Sequence, residues 1–470
     1  MVFSDLFFLF VFLPAFFVCY VTGVAIDRLT RSTGNAVKNM VLVVFSLVFY
    51  AWGEPVYVLL MVASVLLNYV LGLLISRCRR GRRRAVLVAG VACNLAVLGT
   101  FKYLGFLAQT LLGLGIGIEV PSVALPIGIS FYTFQALSYL VDVYRREEPA
   151  QRKFSDLLLY ISMFPQLIAG PIVRYGTVAR ELGQRHVSSA DFADGAFRFL
   201  IGLGKKVIVA NQMSEIVDQF LVSGLDTLTT TGAWVGILAF TFQIYFDFSG
   251  YSDMAIGMAR CLGFHFKENF DHPYCCSSIT DFWRRWHISL GSFFRDYVYI
   301  PMGGNRRHQA VNILVVWFLT GLWHGASWNF VIWGLYFGLI VMVEKYTLLR
   351  VKDRIPSVVL HVYSLVAVVV GWGIFYFEDF GSMLRFFHAF AGGAATGADF
   401  VAQSALTDHF WLWVAAAVFS MPVRRGVSAL TARLLSGHTV ALRGVELTAR
   451  LALSLTLLVL SVALLVGATN

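Results

Sequence analysis

Val311–Val343 is a nearly uninterrupted apolar run, and one histidine lies inside it. At ~1.5 Å rise per residue, its roughly 33 residues would make a helix near 50 Å long, against a hydrocarbon core of ~30 Å. A strong tilt or a break is therefore expected. Gly321-Leu322-Trp323-His324-Gly325-Ala326-Ser327 is the place for it. Irregular backbone at membrane depth is tolerated where it lines a cavity. A titratable ring at that depth costs free energy unless something uses it. His324 is thus expected to face an internal cavity. A second candidate, His287, sits in the arginine-rich segment just before this run, whereas His308 lies in a basic loop where water can solvate it.

The rest of the chain supports a membrane reading. Of its 470 residues, 58% are hydrophobic and 14% charged, where soluble domains run near a quarter charged. Aromatic residues make up 15%, with 41 Phe, and such rings fill gaps between helices and anchor at interfaces. The net charge of +10 fits basic cytoplasmic loops. No basic run interleaved with stacking aromatics lies outside the apolar segments, so a nucleic-acid partner is excluded. Cys19, Cys78, Cys93, Cys261, Cys275 and Cys276 show no CxxC spacing, so neither a disulfide framework nor a metal site is expected.

In chain order, Phe3–Ile26 reads as a retained first span rather than a removed signal. Met40–Trp52 and Val56–Ile75 form a hairpin around Gly53-Glu54-Pro55. Basic positions Arg28, Arg31 and Lys38 on one side, and the run Arg77–Arg84 on the other, place both flanking loops in the cytoplasm and the N-terminus outside. Ala85–Phe101, Tyr103–Ile118 and Val120–Val143 follow, the last interrupted by Leu125-Pro126-Ile127-Gly128. Phe154–Ala169 is apolar. Phe192–Phe220 is amphipathic and suited to an interface. Thr231–Phe248 and Met254–Phe264 flank Asp247 and Asp253. Ser357–Phe377, Thr407–Phe419 and Leu451–Val466 are further spans, with Arg424, Arg425, Arg433, Arg443 and Arg450 marking another basic loop. The expected fold class is an all-α polytopic membrane protein with roughly 11–13 membrane segments. It is read as a single transmembrane domain: N-terminal helices over 1–270, a core with both histidines over 271–345, and C-terminal helices over 346–470.

Lys267–Arg307 is too polar to cross lipid exposed. Ser278-Ile279-Thr280-Asp281 resembles a capping box. On one continuous helix from there, Arg284, His287 and Gly291 would share a face. Asp296 is one expected partner for His287, a backbone group the other. A neutral imidazole can take a proton from a hydroxyl and return it to a leaving group, which suits acyl transfer from a thioester to an alcohol. Arg284 and Arg285 could hold a phosphate-bearing donor, though such arginines more often snorkel at an interface. Asp247 and Asp253 are expected to pair with arginines. There is no P-loop and no nucleophile elbow.

Phe282-Trp283-Arg284-Arg285-Trp286-His287-Ile288-Ser289-Leu290 and Leu322-Trp323-His324-Gly325 resemble the signature of the membrane-bound O-acyltransferases, most of all the bacterial alginate O-acetyltransferase branch, which includes cellulose and peptidoglycan acetylases. Further matches are Leu125–Phe131, Ile168–Pro171 with Arg174, Tyr245–Met254, Asn269-Phe270, Pro273-Tyr274 and Gly303-Gly304-Asn305-Arg306. They cover most of the chain and weaken beyond Phe380. The resemblance implies helices and re-entrant segments around a central funnel. It puts the family's signature histidine on His324 and its second histidine on His287. Arg284, Arg285, Trp323, Asn305, Asp247 and Tyr251 are candidate donor- or substrate-binding residues, with no metal. It also implies acetyl-CoA or an acetyl-carrier thioester as donor, with no bound cofactor. The bacterial inner membrane is the implied location, and the implied partners are a periplasmic SGNH-type protein and a polysaccharide secretion complex. Two other readings compete: a flippase of lipid-linked sugar, expected to show inverted repeats, and a scaffold subunit in which both histidines are dispensable.

Overall fold

The computed structural model describes residues 1–30, 35–120, 123–394, 399–423, 426 and 439–468, without the side chains of Arg80 and residues 439–443. Arg31, Arg424, Arg425, Arg433 and the Arg443 side chain lie outside what is described. The fold is helical, with no strand among the described residues. Among the described residues, seven helices are long and apolar enough to cross a membrane: Phe8–Leu29, Ala36–Gly53, Tyr57–Arg77, Gly81–Gly113, Trp328–Arg354, Ser357–Tyr376 and Gly444–Ala468. Two shorter apolar helices, Gln309–His324 and Phe410–Phe419, accompany them. The protein is an all-α, multi-pass membrane protein.

The chain forms two compact units, Met1–Phe199 with Ser252–Lys267, and Leu200–Tyr251 with Glu268–Asn470. In the first, α1 (Phe8–Leu29), α2 (Ala36–Gly53) and α3 (Tyr57–Arg77) follow one another with short joints. Phe164 is the centre of an aromatic cluster: the rings of Phe3, Phe8, Phe12, Phe16 and Phe49 lie 5.2–6.5 Å from it. Such edge and tilted ring contacts fix helix packing where no hydrophobic drive exists between helices in lipid. Buried Asn68 and Asn94 exchange reciprocal amide hydrogen bonds of 3.0 and 2.8 Å, which satisfy both groups away from water.

Two expected boundaries are corrected here. Residues 80–113 form one helix, α4 (Arg80–Gly113), rather than two spans meeting at Lys102. The Lys102 Nζ donates to Ser130 Oγ at 3.1 Å, so the charge finds a partner without ending the helix. Nor is Val120–Val143 a span with an interior break. Residues 123–128 are non-helical, and α5 (Ile129–Arg145) starts after Gly128, whose φ of 78° an L side chain rarely adopts.

Helices α6 (Ser189–Gly204) and α7 (Thr230–Cys261) contribute to both units. The expected break at Asp247–Asp253 is absent: α7 runs through both carboxylates for 32 residues. Asp253 accepts from Arg198 at 2.8 Å, as expected of an arginine pair. Asp247 instead meets a lysine, Lys206, at 2.9 Å.

In the second unit the long apolar run is broken where the sequence placed the break. α10 (Gln309–His324) ends at His324, residues 325–327 are non-helical, and α11 (Trp328–Tyr346) resumes. The two helices meet backbone to backbone. A Cβ at Gly321 would collide with the Phe330 carbonyl, and one at Gly334 with the Trp317 carbonyl, so only glycine permits this approach. Before them lie α8 (Ile279–Arg285) and α9 (Ile288–Phe294), and after them α12 (Ser357–Tyr376).

Candidate active site

The segment carrying His287 is not one helix. α8 stops when Trp286 adopts an extended conformation, and His287 takes φ 45°, ψ 53° before α9 begins. A left-handed conformation at a non-glycine residue costs free energy and persists only where neighbours enforce it. Arg284, His287 and Gly291 therefore do not share a helical face.

Residues 269–271 enforce the corner. Ile288 N–H donates to the Asn269 carbonyl at 3.0 Å and Asp271 N–H to the Arg285 carbonyl at 3.0 Å. The Asn269 side chain completes the clasp. Its Oδ1 accepts from Ser289 N–H at 3.2 Å, from Ser289 Oγ at 2.8 Å and from His287 Nδ1 at 3.1 Å. The partner of His287 is thus Asn269, while Asp296 pairs with Arg295 at 2.7 Å.

This set assigns the tautomer, given that the Ser289 hydroxyl, 3.4 Å from Nδ1, spends its hydrogen on Asn269 Oδ1 at 2.8 Å. A backbone N–H can only donate, so the Asn269 atom facing Ser289 is the amide oxygen. An oxygen cannot donate to Nδ1, so Nδ1 carries the hydrogen. Nε2 is left with its lone pair, buried and without a hydrogen-bond partner. The residue is 2% exposed and lies outside the spanning helices. Burial, reinforced by the nearby His324 ring, holds its pKa well below the usual histidine value. The ring is neutral near pH 7, with a base atom available.

α8 is anchored at its other end. Ser278 Oγ accepts from Asp281 N–H at 3.0 Å, the cap the sequence predicts. A second anchor comes from Glu344 of α11, 1% exposed. Its carboxylate accepts from Ile279 N–H at 2.6 Å, Thr280 N–H at 2.7 Å and Thr280 Oγ at 2.6 Å, and Tyr363 OH adds a fourth bond at 3.2 Å. A buried anion is stabilised by the free N–H groups of a helix start.

His324 is held differently. It is the last residue of α10 and half-buried, with its ring against Trp323 and Trp333, each 4.9 Å between centroids, and Phe375 at 5.3 Å. Asn329 Nδ2, at the start of α11, reaches the carbonyls of Ile374 at 3.5 Å and Phe375 at 3.4 Å, which seats Phe375 at the ring. The Trp323 indole lies 5.7 Å from the His287 ring as well, so both imidazoles border one side chain. Phe248 closes on His287 edge-on at 4.7 Å.

Of the other candidates, only Trp323 joins the two histidines. Arg285 is engaged by Asp281 at 3.0 Å, and Arg284 is exposed on α8. Asn305 Oδ1 accepts from Tyr299, Gln309 and Lys345 at 2.6–2.9 Å, so it ties a loop together. Asp247 is occupied by Lys206, and Tyr251 is half-buried on α7. Sequence reasoning assigned no role to Asn269, Ser289, Phe248, Trp333 or Phe375. Asn269, Ser289 and Phe248 each carried a signal, as parts of the Asn-Phe pair, the Phe282–Leu290 stretch and Tyr245–Met254; Trp333 and Phe375 carried none.

Comparison with known proteins shows the family. Residues 9–384 match the MBOAT, membrane-bound O-acyltransferase, family. The chain is 40% identical over 399 residues to the probable alginate O-acetylase AlgI of Pseudomonas aeruginosa, covering 83% of this chain and 74% of that protein. It is 33% identical over 427 residues to the peptidoglycan O-acetyltransferase of Helicobacter pylori, covering 83% and 80%. A teichoic acid D-alanyltransferase of Bacillus subtilis is 27% identical over 232 residues, covering 46% and 58%. The chain belongs to the membrane-bound O-acyltransferase family and is an acyltransferase.

Proposed function

We propose that this protein takes acetyl from a cytoplasmic thioester, acetyl-CoA or an acetylated carrier, and passes it across the bacterial inner membrane for O-acetylation of a secreted polysaccharide, alginate or cellulose. The observation that carries this reading is the meeting of two imidazoles on Trp323, at the break between α10 and α11. The alginate O-acetylase relatives support the polysaccharide class. The Helicobacter pylori relative favours a second reading, peptidoglycan as the acceptor.

In this reading His324 is the general base or a transient acyl carrier. As base, it takes the proton of the attacking hydroxyl while that oxygen bonds the carbonyl carbon. The proton then goes to the departing thiolate sulfur as the carbon–sulfur bond breaks. The fixed, neutral His287 is the accessory polar group beside it. Arg284, exposed and free of the Asp281 pair that engages Arg285, is the better candidate for a donor phosphate. The N-terminus is periplasmic, and a periplasmic SGNH-type partner within a secretion complex receives the acetyl group.

The test is a His324→Ala variant, checked for normal membrane insertion and assayed for acetyl on the polymer. Purified protein given labelled acetyl-CoA should turn over the thioester only with His324 intact. Normal acetylation by the variant refutes the assignment.

A further inference from the structure

The first unit contains a cavity of about 830 Å³ near the ends of α1 and α2, remote in sequence from both imidazoles. Three cations line it: Arg28, Lys38 and Arg185. Phe17, Val21 and Val24 of α1 supply an apolar wall.

Among the described residues, cations outnumber carboxylates in this lining three to one, and Asp27 acts on Lys38 through space. Lys38 is only 8% exposed, and its ammonium has three donors but one acceptor, the Arg185 carbonyl at 3.1 Å. Arg185 is buried too, and all its acceptors are neutral. Nε donates to the Leu262 carbonyl at 2.9 Å, Nη1 to Asn39 Oδ1 at 2.5 Å and Nη2 to Tyr20 OH at 3.2 Å. Phe264 covers its guanidinium face at 4.4 Å.

Among the described residues one carboxylate lines the cavity, and its oxygens are already engaged. Asp27 caps the start of α2, accepting from Val37 N–H at 3.0 Å and Lys38 N–H at 3.1 Å. Asp156 acts on Arg185 through space and is engaged by the Asn39 amide. Two buried cations with no carboxylate in ion-pair distance among the described residues are costly. An anion in the cavity would remove that cost.

We infer that this cavity binds the phosphodiester headgroup of an anionic membrane phospholipid. The apolar wall selects lipid over a free phosphate. α1 is a spanning helix, and Val18 and Val21 are both exposed on it, so the wall continues onto a surface where acyl chains can lie. Lys38 and Arg28 would donate to the phosphate oxygens, the usual chemistry of basic headgroup sites between helices. The inference is independent of the acetyl-transfer reading, and its readout is lipid retention.

The experiment uses the full chain purified in detergent and exchanged against phosphatidylglycerol or phosphatidylcholine, with retained lipid counted by native mass spectrometry. Phosphatidylglycerol should be retained about 10-fold over phosphatidylcholine, because both offer the phosphate but only phosphatidylcholine brings a choline cation against Arg28 and Lys38, a repulsion of about 1 kcal/mol or more. Lys38→Met should lose most of that preference. Arg28→Gln, at an exposed position that folding does not need, should reduce it several-fold. Equal retention of the two lipids, or an unchanged preference in Arg28→Gln and in any folded Lys38→Met protein, overturns the inference. So does displacement of the lipid by millimolar inorganic phosphate, which would make the site one for free anions.

Discussion

The two histidine corners are built on opposite principles. His287 is buried in a left-handed kink, with one ring nitrogen tied to Asn269 and the other without a partner. His324 ends a helix, half-buried among indole and phenyl rings. One corner fixes tautomer and protonation. The other fixes position through aromatic faces, in a residue that is only half-buried although its Nε2 is covered. An imidazole held only by ring faces can turn toward a substrate, and a locked one suits a group that must present a lone pair without choosing among states.

Substitution at the ring held by aromatic faces breaks the comparison most directly. His324→Ala should lower acetyl transfer by about 10³-fold or more, within the range for a positioned acid–base group. His287→Ala should cost less, about 10²-fold. Both are read as acetyl on polymer per membrane-inserted protein. Equal losses would mean that the two rings act as one unit and that the contrast in their settings has no functional weight.

Loosening the clasp while keeping the ring comes next. Asn269→Ala should lower transfer by about 10–100-fold, the range seen when a group orienting a ligand imidazole is removed. Asn269→Asp restores an acceptor for Nδ1–H and should recover much of the loss. The pH profile separates orientation from mere packing. Burial holds the wild-type His287 pKa well below 6.5, so its acid limb lies below pH 6.5 and the ring stays neutral above it. A carboxylate at position 269 favours the imidazolium and moves that limb to higher pH. An Asn269→Asp profile coincident with wild type would remove Asn269 as a positioning residue.

The third prediction concerns stability. Glu344→Gln leaves the fold but replaces a charged acceptor of two backbone N–H groups and a hydroxyl with a neutral one. It should cost about 1–3 kcal/mol, as hydrogen bonds to charged groups do, and lower the unfolding temperature in detergent. Transfer per folded molecule should change far less than in Asn269→Ala. A loss of transfer with unchanged thermal stability would place Glu344 in the chemistry instead.

These corners also show what a sequence can and cannot disclose. The break after His324 was legible because the run is too long for a bilayer and holds Gly321 and Gly325. The α8 cap was legible because Ser278 and Asp281 are neighbours in the chain. The kink at His287 was not: its cause is Asn269, 18 residues earlier, and nothing local marks a histidine with positive φ. Lys102, Asp247 and Asp253 read as interruptions for the same reason. Their partners Ser130, Lys206 and Arg198 are distant in sequence, and a charge with an unseen partner looks like the end of a helix.

The Asp247 reading supplies the smallest expected effect, and a control for the others. Its pair with Lys206 is 2.9 Å long, but the carboxylate is 42% exposed, and pairs that water can screen contribute under about 1 kcal/mol. Asp247→Asn should therefore shift the unfolding temperature by little and leave acetyl transfer within about twofold of wild type. The resemblance had made Asp247 a candidate for substrate binding, on the same helix as Phe248, which touches the His287 ring. If Asp247→Asn instead lowers transfer about 10-fold or more with stability intact, the exposed carboxylate is binding something. The polar lining of the site would then extend along α7, beyond the two histidine corners.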